Sequence, residues 1–133
     1  MIKICIIGLG YVGLPICLKS STKFQTVGFD INSTRIKNLK NKFDQNNEYT
    51  KKDFINKKIL FTDKILDIKD CNFFIICVPT PVNKKNNPNL IPIKKSFNTI
   101  SKVLKANDVI ILESTVYPGV TSKFTKILEK KIS

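Results

Sequence analysis

The sequence contains no histidine, and none of its four cysteines belongs to a C-x-x-C pair. Structural zinc sites draw their ligands mainly from these two residue types, so we expect no bound metal. Most of the cysteines lie in apolar runs, where a free thiol behaves as a small hydrophobic side chain. They are Cys5, Cys17, Cys71 and Cys77. Free thiols favour a reducing, cytoplasmic location.

Long hydrophobic runs are also absent, since no segment reaches the roughly eighteen uninterrupted apolar residues of a membrane span. The N-terminus shares one property with a signal peptide, because Lys3 precedes an apolar stretch that runs to Leu18. However, three glycines and a proline interrupt that stretch, and no small-residue cleavage site follows it. We therefore expect no membrane partner.

Arginine occurs only once, as Arg35, although the formal net charge of the chain is +13. The other 22 of the 23 basic residues are lysines, which lie in scattered pairs without interleaved aromatic side chains. We attribute the excess of lysine, asparagine and isoleucine to an A/T-rich genome, and we expect no nucleic-acid partner. A basic nucleic-acid binder stays open as an alternative, and it would show salt-dependent affinity for DNA.

The chain does contain apolar runs that alternate with amphipathic segments. Its 133 residues suffice for one compact domain. Apolar runs between helical patterns predict an α/β fold, a Rossmann-like doubly wound parallel sheet of about five strands. The predicted strands span 2–8, 26–30, 58–62, 71–79 and 108–114. Helices are predicted over 11–22, 32–43, 93–105 and 120–132, with a short helical piece near 65–68.

The second predicted helix carries apolar residues at helical spacing, with Ile36, Leu39 and Phe43 on one face. Either Asn32 or Ser33 is suited to cap its first turn. The polar residues that follow, from 44 to 58, show no pattern that assigns them to an element.

The first predicted strand runs into the pattern G-x-G-x-x-G, formed by Gly8, Gly10 and Gly13. The pattern follows a predicted strand and begins a predicted helix, as the dinucleotide-binding fingerprint requires. The fingerprint also requires an acidic residue about twenty residues further on, and Asp30 lies 22 residues after Gly8. In that fingerprint Gly8 permits the tight turn, Gly10 lets a pyrophosphate approach the backbone and Gly13 allows close helix packing. The N–H groups at the helix start favour phosphate. Glycines that serve only tight packing are the alternative.

Asp30 closes the second predicted strand, where its carboxylate is suited to accept hydrogen bonds from both hydroxyls of an adenosine ribose. The same charge would repel a 2′-phosphate, which favours NAD over NADP. Alternatively, Asp30 only caps the next helix. Arg35 has two interpretations. Either the site needs a planar, forked cation near the ribose or adenine, or Arg35 is a solvated helix residue that occurs there by chance.

Two further segments are expected at the carboxyl ends of strands, where open parallel sheets bind their ligands. "CVPTP" follows the fourth predicted strand, and "ESTVYPG" follows the fifth. These segments put the hydroxyls of Thr80, Ser114 and Thr115 on loops at that edge, although ordinary turn chemistry also explains such residues.

Four motifs, "GLGYVGLP", "VGFDIN" with Arg35 five residues past Asp30, "FFIICVPTPV" and "VIILESTVYPG", resemble the UDP-glucose/GDP-mannose dehydrogenase family. The likeness is strongest to its UDP-N-acetyl-hexosamine 6-dehydrogenase members, which serve bacterial surface-polysaccharide synthesis. The motifs occur in matching order over essentially the whole chain. The resemblance implies a Rossmann domain that binds NAD. It also implies oxidation of the C6 alcohol of a UDP-sugar to a carboxylate with two successive NAD molecules.

The resemblance also assigns site residues by position. Family cofactor contacts match Val12, Asp30, Arg35, Thr80 and Thr115, and Thr115 further matches a hydroxyl near the reacting carbon, which makes it the one catalytic candidate. With the neighbouring loop residues, the expected cofactor-binding set is Gly8, Gly10, Tyr11, Val12, Gly13, Asp30, Ile31, Arg35, Val78, Pro79, Thr80, Ser114 and Thr115.

The chain departs from the family pattern in two respects. The segment "NKFDQNNE" has Lys42 and Asn46 where a glycine and a threonine are usual. Family enzymes also run on for several hundred residues, and their nucleophilic cysteine, catalytic lysine and asparagine, central helix and sugar-nucleotide domain lie in that later part. None of the four cysteines here occupies the place of the nucleophile.

We therefore expect residues 1–133 to form an incomplete NAD-binding Rossmann domain that lacks its last part. Such a domain is not catalytic alone, and it meets a UDP-sugar substrate only together with a complementing chain that supplies the C-terminal half. A stand-alone NAD-binding regulatory module and a non-functional remnant stay open as alternatives.

Overall fold

The computed structural model describes residues 1–113, Ser122 and Lys126 of the chain. Its strands are β1 (Lys3–Ile7), β2 (Gln25–Phe29), β3 (Ile59–Thr62), β4 (Phe73–Ile76) and β5 (Val109–Leu112). Its helices are α1 (Gly13–Ser20), α2 (Ser33–Lys40), α3 (Lys51–Phe54), a 3₁₀ helix (Ile65–Ile68) and α4 (Ile91–Ser101). The strands form one parallel sheet in the order β3-β2-β1-β4-β5, which confirms the predicted α/β class.

β1 lies at the centre of the sheet, and its side chains alternate between two cores. Cys5 and Ile7 belong to one core, which β4 and α4 complete with Phe74 and Phe97. Ile4 and Ile6 belong to the other core, on the opposite face. That second core includes buried residues of α1 and α2, namely Leu14, Leu18, Ile36 and Leu39. Burial on both faces explains why this strand is apolar throughout.

The structure corrects the predicted second helix at its C-terminal end. α2 ends at Lys40, and Lys42 adopts a left-handed backbone conformation with φ of 58°, which stops the helix. The carbonyl oxygen of Asn38 accepts hydrogen bonds from the backbone N–H groups of Asn41 and Phe43, at 3.0 and 2.9 Å. Phe43 therefore lies beyond the helix and is 51% exposed, so its assignment to the buried face was wrong.

The segment that carried no recognisable pattern contains α3. The Asp53 carboxylate accepts a hydrogen bond of 2.7 Å from the backbone N–H of Thr50, which forms part of a capping box. α3 brings Phe54 into the second core, where its ring packs edge-on against that of Phe61, with centroids 6.3 Å apart. This contact secures the chain between α2 and β3.

α4 begins at Ile91, two residues before the predicted start, because Pro92 is accommodated in its first turn. It is the longest described helix, with 11 residues, and no helix in the described part of the chain has the length and apolarity to cross a membrane. Residues 115–119 of the predicted loop "ESTVYPG" lie outside the described residues, and so does the predicted helix over 120–132 except for Ser122 and Lys126.

Candidate functional site

The loop between β1 and α1 owes its shape to Gly8. This residue has φ of +94°, a left-handed conformation that side chains rarely adopt. A Cβ atom at this position would lie 3.0 Å from Cγ1 of Val78 and 3.1 Å from the carbonyl oxygen of Cys77. The N–H of Gly8 donates to the carbonyl oxygen of Phe29, at 2.9 Å. The loop is thereby held against the ends of β2 and β4.

Gly10 and Gly13 differ in how much space surrounds their Cα atoms. A Cβ atom at Gly13 would overlap the backbone carbonyl of Gly8, so the start of α1 packs directly on the loop. A Cβ atom at Gly10 would meet no heavy atom within 4 Å. Gly10 therefore faces open space beside the first turn of α1, where no side chain caps the helix.

This open space belongs to a cleft of about 700 Å³ at the carboxyl edge of the sheet. The chain proceeds from β1 to β2 and β3 on one side, and then crosses to β4 and β5 on the other, so the strand order reverses beside β1. The cleft opens at this switch point, which is where open α/β sheets bind ligands. Among the described residues that line it, Asp30, Lys95 and Glu113 carry charge.

The structure places most of the predicted cofactor residues around the cleft. Those that line it are Gly8, Gly10, Tyr11, Val12, Asp30, Ile31, Val78, Pro79 and Thr80. Gly13 lies below the loop and supports it, as described above. Ser114 and Thr115 fall outside the described residues.

Asp30 connects the glycine loop to α2. One carboxylate oxygen accepts from the N–H of Leu9 and the other from the N–H of Asn32, each at 3.0 Å. Asn32, rather than Asp30, caps α2, because its side chain accepts from the N–H of Arg35 at 3.1 Å. A carboxylate offers about four acceptor positions, so Asp30 keeps capacity for ligand hydroxyls in the cleft.

Arg35 is not a solvated helix residue, which corrects one of the two predicted alternatives. Its side chain is buried behind the glycine loop, and its Nε donates to the carbonyl oxygen of Leu9 at 2.8 Å. Its Nη1 forms an ion pair of 2.7 Å with the carboxylate of Asp44. Arg35 does not line the large cleft, because these two partners hold it beneath the loop. The planar fork of the guanidinium makes both attachments, and the contact of Arg35 with the cofactor stays a prediction.

Asp44 is a residue that sequence reasoning missed. In addition to Arg35, its carboxylate accepts from the backbone N–H groups of Asn46, Glu48 and Tyr49, at 3.0 to 3.2 Å. Burial alone would raise the pKa of Asp44, but the hydrogen bond from Arg35 and those from the backbone lower it below its usual value. Asp44 therefore stays ionised at neutral pH and organises the loop that carries Asn46 to the rim of the cleft.

One wall of the cleft comes from residues that sequence reasoning also missed. α4 contributes Lys95, Ser96 and Thr99, and the end of β5 contributes Glu113. Polar residues at positions 95, 96 and 99 share one helix face, and that spacing is the signal that could have found them. The pattern was not sufficient, because only the fold shows which face of α4 meets the cleft.

Cys77 is the cysteine that lines the cleft, and it is poorly suited to act as a nucleophile. Burial, with a smaller contribution from the carboxylate of Glu113, raises the pKa of its thiol to about 11. Burial likewise raises the pKa of Cys17 to about 12. All four cysteines are free and buried. In the described part of the chain, no cluster of three or more histidine, cysteine or acidic side chains could hold a metal ion.

The fold and the cleft define a Rossmann-type dinucleotide-binding domain. The parallel sheet, the turn with G-x-G-x-x-G and the acid at the end of β2 are its three diagnostic features. The residues present fit a dinucleotide, because Gly10 leaves room for a pyrophosphate and Asp30 offers its carboxylate at the adjacent strand end.

Comparison with known proteins identifies the family. Residues 2–133 match the NAD binding domain of the UDP-glucose/GDP-mannose dehydrogenase family, and the chain belongs to this family. The predicted resemblance is thereby confirmed, and NAD is the cofactor of the domain.

Individual relatives agree with this assignment. UDP-N-acetyl-D-glucosamine 6-dehydrogenase of Salmonella typhi is 48% identical over 123 residues, which are 92% of this chain and 29% of that protein. Protein CapL of Staphylococcus aureus is 44% identical over 129 residues, which are 96% of this chain and 30% of CapL. The structure of UDP-D-ManNAc dehydrogenase from Pyrococcus horikoshii superposes with a TM-score of 0.90 at 32% identity, covering 98% of this chain and 32% of that one. The chain thus spans about 30% of the length of the curated relatives it matches.

Proposed function

We propose that this chain is the NAD-binding part of a nucleotide-sugar 6-dehydrogenase that oxidises the C6 alcohol of a UDP-sugar to a carboxylate. The observation that carries the proposal is the cleft at the strand-order switch, with open space at Gly10 and the Asp30 carboxylate beside it. The names of the relatives support a UDP-N-acetyl-hexosamine as the substrate class.

In the proposed binding mode the pyrophosphate lies against the backbone N–H groups of the loop 8–13. The adenosine ribose lies at Asp30, whose negative charge disfavours a 2′-phosphate and so selects NAD over NADP. The other end of the dinucleotide extends towards Val78, Pro79 and Thr80 at the end of β4. Ser114 and Thr115 remain proposed contacts, and Thr115 remains the proposed catalytic candidate.

The complete reaction requires more than these 133 residues. NAD, when bound, accepts the hydride that leaves the C6 carbon, and two NAD molecules account for the four-electron oxidation. The chain's own contribution is to bind and orient the cofactor, because its four cysteines are buried, and burial raises the pKa of Cys17 to about 12 and that of Cys77 to about 11. We propose that the nucleophile and the UDP-sugar site belong to a C-terminal half, supplied by a complementing chain. The four free cysteines support a reducing, cytoplasmic location.

Titration of NAD into the purified chain by calorimetry tests the cofactor proposal. Wild type is expected to bind NAD, and Asp30→Ala is expected to bind it at least about tenfold more weakly, because two charge-assisted hydrogen bonds are lost. Asp63→Ala is the matched control, since it removes an exposed carboxylate that does not line the cleft. Equal binding by wild type and Asp30→Ala would refute the assignment of Asp30.

A complementation assay tests the catalytic part of the proposal. The chain is mixed with the C-terminal two thirds of a family enzyme, and NADH formation from UDP-N-acetylglucosamine is followed by absorbance. Turnover is expected only with both chains present. NAD binding without turnover in any combination would instead support a stand-alone regulatory module.

A further inference from the structure

Glu113 places a carboxylate in the cleft on the side of β1 opposite to Asp30. It is the first residue after β5, and its backbone N–H donates to the carbonyl oxygen of Ile76, the last residue of β4, at 2.8 Å. The strand register pairs Ile76 with Leu112. Glu113 therefore stands beside Cys77, and both residues line the cleft. Asp30 follows β2, which lies on the other side of β1.

The charge of this carboxylate is not neutralised by any residue that the structure describes. The side chain of Glu113 is exposed and forms neither an ion pair nor a hydrogen bond within the described part of the chain. Lys95 is the one cation among the described residues that line the cleft, and it is not paired with Glu113. Burial raises the pKa of the Cys77 thiol to about 11, and the negative charge of Glu113 adds to this increase. Glu113 thus acts electrostatically on groups at the end of β4.

The order of the strands determines which part of a dinucleotide meets Glu113. In the proposed binding mode the glycine loop at the end of β1 takes the pyrophosphate, and Asp30 at the end of β2 takes the adenosine ribose. The other half of the cofactor, a ribose with the nicotinamide ring, then lies over β4 and β5. Neighbouring strands are about 4.8 Å apart, so the end of β5 is about 10 Å from the glycine loop. The nicotinamide ring therefore lies on the side of the pyrophosphate where Glu113 stands.

The nicotinamide ring is also the part of the cofactor whose charge changes in the reaction. The ring is positive in NAD and neutral in NADH, whereas the pyrophosphate, both riboses and the adenine are the same in the two forms. A carboxylate near the ring stabilises the positive form by Coulomb attraction. Its repulsion of the pyrophosphate affects NAD and NADH equally and does not alter the preference between them.

We propose that Glu113 is a specificity-determining residue that makes the site prefer NAD over NADH. This inference rests on the proposed function, in which two NAD molecules are used in succession. The first NADH must leave before the second NAD enters the same site, so a preference for the oxidised form promotes the exchange. Glu113 acts through its charge alone and transfers neither a proton nor a hydride.

Calorimetric titrations of NAD and NADH into wild type and Glu113→Gln, at one low salt concentration, test the proposal. The quantity compared is the ratio of Kd for NADH to Kd for NAD, in which contacts to the common part of the cofactor cancel. The ratio is expected to fall about fivefold or more in the variant, because two unit charges about 4 Å apart account for about this factor even in water. An unchanged ratio in Glu113→Gln would overturn the proposal.

Glu113→Asp separates the effect of charge from an effect of shape. The side chain of residue 113 is exposed and its bond to β4 comes from the backbone, so both substitutions leave the strand pairing intact. Glu113→Asp keeps the negative charge and is expected to retain at least about half of the wild-type ratio. A fall as large as that in Glu113→Gln would show that charge is not the cause, which would overturn the proposal.

Asp30→Asn is the matched control, because it removes a carboxylate from the same cleft at the adenosine end. It is expected to weaken the binding of NAD and NADH in parallel and to leave their ratio unchanged within about twofold, since the adenosine is common to both. An equal fall of the ratio in Asp30→Asn and Glu113→Gln would overturn the proposal. The preference would then follow from the net charge of the cleft rather than from the position of Glu113.

The two proposals fail in different ways. A wild-type chain that binds neither NAD nor NADH would refute the proposed function together with this inference. A wild-type chain that binds both, with the same ratio in Glu113→Gln, would refute the role of Glu113 alone.

Discussion

Gly8 and Gly13 are so close that a Cβ atom at Gly13 would lie less than 3.0 Å from the backbone carbonyl of Gly8. The first turn of α1 therefore rests directly on the turn that ends β1. At Gly10, between them, the corresponding Cβ would meet no atom within 4 Å. Two of the three glycines of the motif are thus required by the fold, and the third is open to a ligand.

This difference predicts opposite outcomes for two alanine substitutions. Gly13→Ala is expected to destabilise the domain by about 3 kcal/mol or more, because the loop and helix must separate. Gly10→Ala is expected to change the free energy of unfolding by less than about 1 kcal/mol, while NAD binding is lost because the methyl group occupies the space of the pyrophosphate. Urea unfolding and NAD titration of both variants provide the measurements. Full NAD affinity in folded Gly10→Ala would contradict the binding mode.

The lowered pKa of Asp44 predicts acid sensitivity. The folded chain binds fewer protons at this carboxyl than the unfolded chain, whose aspartate pKa is about 3.9. The stabilisation is therefore complete above about pH 5 and is lost as the pH falls through the pKa of the folded form. Urea unfolding between pH 7 and pH 3 measures this loss.

Asp44→Asn provides the comparison for that pH series. The variant is expected to be about 3–5 kcal/mol less stable at pH 7, because it leaves Arg35 unpaired, and its stability is expected to fall less steeply towards acid pH. Parallel pH profiles for the two proteins would show that another group causes the acid sensitivity.

The raised pKa of Cys77 predicts slow thiol chemistry. At pH 8 a thiol with a pKa of about 11 is ionised to about one part in a thousand, so Cys77 in the folded chain is expected to react with Ellman's reagent far more slowly than free cysteine. Bound NAD is expected to slow the reaction of Cys77 further, because this residue lines the cleft. Cys77→Ser removes the protected thiol and serves as the control. Rapid labelling of a thiol in the native chain that is lost in Cys77→Ser would contradict this prediction.

The cap of α2 allows a matched comparison of two neighbouring residues. Asn32→Ala is expected to cost about 1 kcal/mol of stability, because the N–H of Arg35 loses its acceptor. Ser33→Ala is expected to cost much less, since Ser33 is already the first residue of the helix. Urea midpoints of the two variants measure the difference. Equal losses would mean that the side chain of Asn32 does not act as the cap.

Much of the fold was predictable because its signals are local. β1 and β4 are buried on both faces, which requires apolar side chains at every position, and Gly8 requires a backbone conformation that other residues avoid. The end of α2 was not predictable in the same way. Lys42 adopts a left-handed backbone conformation that is uncommon for lysine and that the sequence does not indicate. The helical spacing of apolar residues therefore extends to Phe43, although the helix ends at Lys40.

The sequence by itself determined the parallel α/β fold, the glycine turn and the place of Asp30, because backbone sterics and strand periodicity act over a few residues. The tertiary structure alone decided that Arg35 pairs with Asp44 beneath the loop and that α4 supplies one wall of the cleft. These contacts join segments whose approach depends on how the intervening turns direct the chain, and no residue pattern within either segment specifies that approach.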